Sequence, residues 1–364
     1  MSFQADTHAP EDGARARDYG PRRLTVELTN TCNLHCSYCL RDEDALYHER
    51  ARFFPVELLR RIVREARESV GVSHVMFTGG EVTLHPEFGS ILAAVREEGL
   101  TCSFITNGWH FERVWPALKA NREALTHVSF SLDGATRESH DRWRGEGSFV
   151  RIVRAFSRCR DAGLPFGVKV GLRKDKLPHL EQIAMFAARM GAHALSFGHL
   201  LPTSEDSERE LALDSRERTE AEQEVALLAR VFKMRVTIEV GYYNTDAAAP
   251  CSALAGESCN VDYRGRLSLC CNLSGYRGAS GEPDVVADLN VEGFAEGFER
   301  LSAIASAQNE RRRAALEAHA REVGGRADLN LGSPCLFCLQ SFGKTPWRVG
   351  ASNAARSLPV VQSV

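Results

Sequence analysis

Long apolar runs are missing from this sequence: none approaches the ~20 residues needed to cross a bilayer, so no membrane is expected among its partners. The N-terminus, Met1 to Pro21, lacks an apolar h-region and reads as neither signal peptide nor anchor. Residues 1–21 are expected to be a disordered lead-in. An excess of charge of either sign is missing too. The 45 Lys and Arg against 48 Asp and Glu leave a net −3, which gives no electrostatic reason for nucleic acid as a partner. With no export signal the expected location is cytoplasmic, where structural disulfides are rare. The dinucleotide-binding glycine fingerprint is also absent.

What is present is a chain of 364 residues, 43% of them hydrophobic, enough for one large domain and a smaller attachment. From Leu24 to about Val240, short β-branched runs alternate with amphipathic stretches. LTVEL, HVMF, SFI, HVSFSL, FGVKV and ALSF read as buried strands. Leu59, Ile62, Val63 and Ala66 form one helical stripe; Phe88, Ile91, Leu92 and Val95 a second; Phe149, Ile152, Val153 and Phe156 a third. Gly71, Gly99, Gly163 and Gly191 sit where helices should stop. Six strand–helix units in a row imply a parallel sheet with right-handed crossovers. Without the dinucleotide fingerprint, a partial (β/α)6 TIM-like barrel is the better reading, with its chemistry on loops at the C-terminal strand ends. The expected division is 22–240 for this barrel, 241–345 for a second unit, and 346–364 for a flexible tail. In the second unit a helix is expected from about Val291 to Val323, with its ERRRAALEAHARE run as a solvated face.

The 11 cysteines are many, odd in number and clustered. Cys32, Cys36 and Cys39 fall in NTCNLHCSYCL, directly after the first strand, and six more lie beyond residue 250. Cys102 and Cys159 are expected to pack in the barrel. Three thiolates on one loop suit three corners of a [4Fe–4S] cube, which normally takes four Cys; the fourth iron is then open. A zinc site completed by His35 is the plainer alternative, but structural zinc usually draws on two separated ligand pairs.

With its cysteine gaps of three and two, this loop resembles the signature of the radical S-adenosylmethionine (SAM) superfamily. FTGGEVTLHP resembles that family's GGE motif, with Gly79, Gly80 and Glu81 in place, and the resemblance implies that this stretch binds the methionine amino group. SFSLDG and HDRWRGEGSF resemble the ribose-and-carboxylate region. Ser131 and Asp133 are implied near the sugar, with Arg144 as a fork for the carboxylate. Tyr38 stands in the aromatic slot that flanks adenine. The resemblance covers roughly residues 23–202. It implies reductive cleavage of SAM and hydrogen abstraction from a substrate by a 5′-deoxyadenosyl radical, with electrons from a flavodoxin- or ferredoxin-type donor.

Cys251, the hairpin glycine Gly265 in YRGRLSLC, Cys270, and the Cys335–Cys338 pair resemble the auxiliary-cluster domain of the SPASM/Twitch subgroup. LQSFGKTPW adds no further cysteine, so four ligands and one auxiliary [4Fe–4S] cluster, the shorter Twitch form, are implied; a zinc ribbon from the same four thiols is the alternative. Two clusters in all are expected. Cys259 and Cys271 are left over, either as structural thiols or as alternative ligands or hydrogen-atom donors. Asn107, Lys169, Arg173 and His199 are polar candidates at strand ends, of which Arg173 and His199 are candidates to touch cofactor or substrate. The short stretch before the first strand tilts the expected substrate toward a small hydroxylated metabolite, oxidised by two electrons in natural-product biosynthesis. A peptide maturase, cross-linking or epimerising, is the alternative. A non-catalytic iron–sulfur electron carrier is a third class, although it would need neither GGE nor SLDG.

Overall fold

The computed structural model describes residues 23–246, 248–279 and 281–348. The lead-in expected over 1–21 and the tail from 349 onward lie outside the described residues. The six expected strands all form: β1 (Arg23–Glu27), β2 (His74–Thr78), β3 (Thr101–Thr106), β4 (Leu125–Ser131), β5 (Phe166–Leu172) and β6 (Ala194–His199). A seventh, β7 (Arg235–Val240), was not among them. All seven run parallel in consecutive order.

Parallel neighbours need crossovers, and helices supply them: α1 (Val56–Val70), α2 (Phe88–Glu97), α3 (Phe111–Ala120), α4 (Arg137–Arg144), α5 (Ser148–Asp161), α6 (Leu180–Met190), α7 (Glu205–Leu211) and α8 (Ser215–Val231). The α1 stripe of Leu59, Ile62, Val63 and Ala66 is fully buried against the sheet. Each of the fully buried Leu59, Ile62 and Val63 side chains contributes about 1.5–3 kcal/mol. On α5 the buried face is displaced from the expected stripe: Ile152, Ala155, Phe156 and Cys159 are buried, while Phe149 and Val153 lie at its margin.

The sheet does not stop at residue 240. β8 (Ser258–Val261) pairs parallel with β1, Leu24 opposite Cys259, and continues antiparallel through β9 (Arg266–Ser268) to β10 (Val285–Asp288). One ten-stranded sheet results, with β7 and β10 as its edges. The expected later helix is α9 (Phe294–Glu322), followed by α10 (Leu329–Gly332) and α11 (Pro334–Ser341). Arg61 of α1 donates to the Leu289 carbonyl, and Glu65 accepts from the Phe294 N–H at 2.9 Å, so the later elements are stapled to α1. The start of the tail is ordered: Trp347 and Arg348 both donate to Glu208, at 2.8 and 2.9 Å. No helix among the described residues is long and apolar enough to cross a membrane.

Candidate active site

The chain leaves β1 at the C-terminal end of the parallel strands, and two buried polar side chains tie down the loop that follows. Thr29 donates to the Arg52 carbonyl at 2.7 Å. The Asn30 carboxamide donates to the carbonyl of Ala45 at 2.8 Å and accepts from the Arg52 N–H at 2.7 Å. Cys32, Cys36 and Cys39 emerge from this base as half-buried free thiols. Burial pushes Cys32 up to about 12, with the Glu81 charge and then the other two cysteines adding to it, and burial also raises Cys36. Buried thiols such as Cys32 and Cys36 lose their protons readily to a bound cation. That is the chemistry of a metal–thiolate site, and the loop fits a cluster. Among the described residues no three His, Cys, Asp or Glu side chains converge as ligands of one ion. A cube needs no such convergence, because each thiolate meets its own iron. His35 is exposed and stacks on Tyr47, ring centroids 3.9 Å apart.

The end of β2 folds against this loop, backbone to backbone. Gly80 N–H donates to the Thr29 carbonyl at 2.8 Å and Glu81 N–H to that of Thr31 at 2.9 Å. A Cβ on Gly80 would lie 2.0 Å from the Thr31 oxygen, and one on Gly79, at φ 126°, 2.6 Å from that of Thr29. The glycines are therefore required by close approach of two chain segments. Glu81 is buried, and its carboxylate is taken up internally. Oε1 accepts from Thr83 N–H, Thr83 Oγ1 and Thr106 Oγ1; Oε2 accepts from Asn107 N–H at 2.7 Å. Asn107 in turn donates to Asn33 Oδ1 at 3.0 Å and toward Cys32 Sγ at 3.9 Å. Glu81 thus links β2 and β3 beneath the cysteine loop.

Beyond β4 a charged knot forms around Asp133. Arg144 is the last residue of α4, whose start is set by a Thr136–Ser139 capping box. Its Nε donates to Asp133 Oδ2 at 2.5 Å and its Nη2 to the Tyr38 hydroxyl at 2.8 Å. Tyr38 donates to the same Asp133 oxygen. Arg173, after β5, donates to Asp133 Oδ1 at 2.8 Å and to Asp175 at 3.0 Å, and Lys176 also reaches Asp175. The Arg173 guanidinium lies over both Tyr38 and Trp143, 4.1 and 4.0 Å from the ring centroids. Burial alone would raise Asp133, yet Arg144 and Arg173 hold it well below the usual carboxylate range. Three cations, Arg144, Arg173 and Lys176, face the two carboxylates of Asp133 and Asp175 here. His140 completes the knot by accepting the Asp133 N–H at 3.1 Å. Trp143 and His140 escaped the sequence reading, although both lie in the HDRWRGEGSF stretch.

The structure brings Tyr38, Asp133, Arg144 and Arg173 together, and Asn107 with the cysteine loop. Ser131 is the half-buried last residue of β4, opposite Lys169 of β5. Lys169 pairs with Glu239 at 2.5 Å, across β5–β7, and takes no part in the knot. His199 is buried against α8, 3.4 Å from Glu222, and burial lowers its pKa.

The later cysteines form a second group. Cys251, Cys270, Cys335 and Cys338 line one cavity with apolar walls that include Leu254, Leu269, Leu273 and Leu339. Cys335 and Cys338 lie one helical turn apart on α11. N–H groups point at the sulfurs: Gly241 N–H at Cys335 (3.4 Å) and Asn272 N–H at Cys270 (3.5 Å). Four thiols in one apolar cavity with N–H donors fit a thiolate-bound cluster, in which each thiolate meets its own iron. Cys271 and Cys259 do not line that cavity. Cys259 is fully enclosed by apolar neighbours, as are Cys102 and Cys159, and burial pushes all three thiols up to about 12.

A polar cavity of about 280 Å³ is lined by Glu27, Arg41, Gly79, Gly80, Asp262 and Tyr276 among others. Arg41 spans it, paired with Glu27 at 3.0 Å and donating to the Ser274 carbonyl.

Residues 26–187 match the model of the Radical SAM superfamily. The AdoMet-dependent heme synthase of Nitratidesulfovibrio vulgaris is 29% identical over 204 residues, which cover 52% of this chain and 54% of that one. The mycofactocin maturase MftC of Mycobacterium tuberculosis is 34% identical over 181 residues, 47% of this chain and 43% of that one. The PqqA peptide cyclase of Gluconobacter oxydans is 26% identical over 258 residues, 69% and 70% of the two chains. The chain thus spans about half the length of the first two relatives. Streptococcus suis SuiB bound to S-adenosylmethionine superposes with a TM-score of 0.65 at 14% identity, covering 79% of this chain and 68% of that one. AdoMet-bound anSMEcpe gives 0.63 at 18% identity, covering 84% and 88%. The structural likenesses show the parallel α/β fold, and the match to the Radical SAM superfamily lies over β1 to α6.

Proposed function

We propose that this chain is a radical SAM enzyme that modifies a peptide by a two-electron oxidation, with a second, Twitch-like cluster in its C-terminal part. The observation that carries the chemistry is the convergence of three unpaired thiols, the glycine-tight β2 end and the Asp133 knot at the C-terminal ends of adjacent parallel strands. The peptide class rests on the relatives: a maturase and a peptide cyclase are among them, and the cyclase match extends beyond the radical SAM region. That tilts against the small hydroxylated metabolite expected from the short N-terminal stretch.

When bound, the cluster and SAM supply a 5′-deoxyadenosyl radical that abstracts a substrate hydrogen. The protein's part is to bind, aim and exclude water. Cys32, Cys36 and Cys39 would hold the cluster, and Asn107 steadies Cys32. With the Glu81 carboxylate engaged by Thr83, Thr106 and Asn107, the methionine amino group falls to backbone carbonyls at the β2 end, whose position Glu81 sets. Arg144, held by Asp133 and Tyr38, would meet the carboxylate, Ser131 the ribose and Tyr38 the adenine. The cavity beside Gly79 and Gly80 receives the residue to be oxidised. Cys251, Cys270, Cys335 and Cys338 would hold a second cluster through four thiolates, and that cluster would supply an electron acceptor. A flavodoxin- or ferredoxin-type protein is the donor to the first. A mere electron carrier would have no use for the knot.

The test is anaerobic reconstitution with iron, sulfide, SAM and dithionite, followed by measurement of 5′-deoxyadenosine. The C32A/C36A/C39A chain should make none; undiminished cleavage by it overturns the proposal. Addition of a candidate substrate peptide, sought among short open reading frames near the gene, should stimulate cleavage and yield a peptide lighter by two hydrogens. Stimulation by small polyols instead of peptide would restore the metabolite reading.

A further inference from the structure

Helix α9 carries the ERRR run that reads as a solvated face, and Arg312 departs from it. The buried stripe of α9 runs through Phe294, Phe298, Leu301 and Ala305 and then continues, at steps of three and four, to Gln308 and Arg312. These two polar side chains are 2% and 1% exposed. Gln308 donates from Nε2 toward Cys338 Sγ at 3.8 Å. Arg312 donates to the carbonyls of Leu331 (3.2 Å), Gly332 (3.3 Å) and Asn244. Carbonyls satisfy its protons without cancelling its charge. Among the described residues no carboxylate pairs with it, and its Nη1 has no hydrogen-bond partner. The groups whose charge bears on it are Cys338, Cys251, Tyr242 and Cys335.

A buried, unpaired guanidinium is strongly unfavourable unless a counter-charge stands nearby. Thiolates around a bound metal centre provide one, and reduction of a cluster adds a further negative charge. Charge and hydrogen bonds to sulfur are the protein's means of setting a cluster's potential. We propose that Arg312 and Gln308 are positioning residues of the C-terminal cluster, which together stabilise its reduced form and make it the better electron acceptor. This rests on the reading of that site as a cluster.

The test is an electron-paramagnetic-resonance redox titration, with dithionite as the electron source, of the full chain carrying C32A/C36A/C39A, so that only the C-terminal cluster is observed. Adding R312Q should shift the reduced-to-oxidised ratio at fixed potential at least tenfold toward the oxidised form, a fall of 59 mV for a one-electron couple. Q308M, which keeps the shape and removes the donor, should shift it the same way by less. R312K should restore most of the R312Q loss. An unmoved midpoint in both R312Q and Q308M overturns the proposal. Should R312Q not load with iron, Q308M decides alone, and an unchanged midpoint there sinks it. Zinc in place of iron in the parent chain would overturn the cluster reading itself, an outcome distinct from iron with an unmoved midpoint.

Discussion

Arg173 donates from Nη1 to Asp133 Oδ1 at 2.8 Å, with neither side chain exposed to solvent. Arg144 holds the other oxygen of the same carboxylate. In D133N two guanidiniums would face a neutral amide in a buried site, so the metal-free chain should lose about 3–5 kcal/mol in urea unfolding. R173M should lose less, because Arg144 still neutralises Asp133 and the methionine keeps contact with Tyr38 and Trp143. Equal losses from both variants would show that the two arginines do not share the carboxylate.

Gly80 makes a different kind of demand. An added methyl would lie 2.0 Å from the Thr31 carbonyl oxygen, next to Cys32. Either strand end then moves, and the cysteine loop moves with it. G80A should therefore bind about half the iron of the parent, keeping only the C-terminal cluster's share. G71A is the control: its φ of 71° is strained, but nothing lies within 4 Å, so it should cost about 1 kcal/mol and leave iron content unchanged. Full iron loading in G80A would mean that the β2 end does not set the loop.

The sequence made much of this legible, for identifiable reasons. Parallel strands are buried on both faces, so β1 to β6 stand out as apolar, β-branched runs. The cysteine spacings pointed to Cys32, Cys36 and Cys39 and to the Cys335–Cys338 pair, because residues on one loop or one helical turn are local in sequence; Cys251 and Cys270 reach that pair only through the fold. What was hidden is non-local. Strands of three or four residues, such as β8 and β9, carry no period of their own and are recruited by the free edge of β1. Which arginine meets Asp133 depends on packing across 40 residues, so Arg144 was legible as an anion fork while its engagement with Asp133 and Tyr38 was not. Arg312 was masked by its charged neighbours; only the three-and-four spacing from Phe294 onward betrays it.

His140 gives the fold a dependence on acid. Its Nδ1 accepts the Asp133 N–H at 3.1 Å, which requires a neutral ring. Burial, with Arg144 adding, lowers it to about 4 from an ordinary 6.5. The folded pKa is the depressed one, so the stability His140 contributes is fully present above about 6.5. As pH falls toward 4 the unfolded chain takes up a proton that the folded chain refuses, and about 3 kcal/mol is lost. His74 and His127, also lowered to about 4, act in the same direction. In H140N the Asn oxygen replaces Nδ1 as acceptor without titrating. The slope of unfolding free energy between pH 6.5 and 4 should become shallower by about 1.4 kcal/mol per pH unit. An unchanged slope would place the proton elsewhere.

The separation of the two thiol groups allows their roles to be tested apart. Cys251, Cys270, Cys335 and Cys338 line a cavity of their own, and the residues that hold the first loop, Thr29, Asn30, Asn107 and Glu81, make no hydrogen bond to them. Replacing the four by Ala should lower iron from about eight to about four per chain and leave reductive cleavage of SAM intact. Product should nevertheless vanish, because a substrate radical left by hydrogen abstraction must lose one more electron to become a new bond or double bond. C259A and C271A, outside that cavity, should keep all the iron. Circular dichroism on each variant separates this outcome from unfolding. If the four-Ala chain still oxidises peptide, the second site is a brace. If the parent returns a peptide of unchanged mass with a solvent hydrogen at the abstracted carbon, the chemistry is epimerisation. Loss of that hydrogen transfer in C271A, with iron intact, would then assign the donor to Cys271, the thiol hydrogen-bonded to Cys270 outside that cavity.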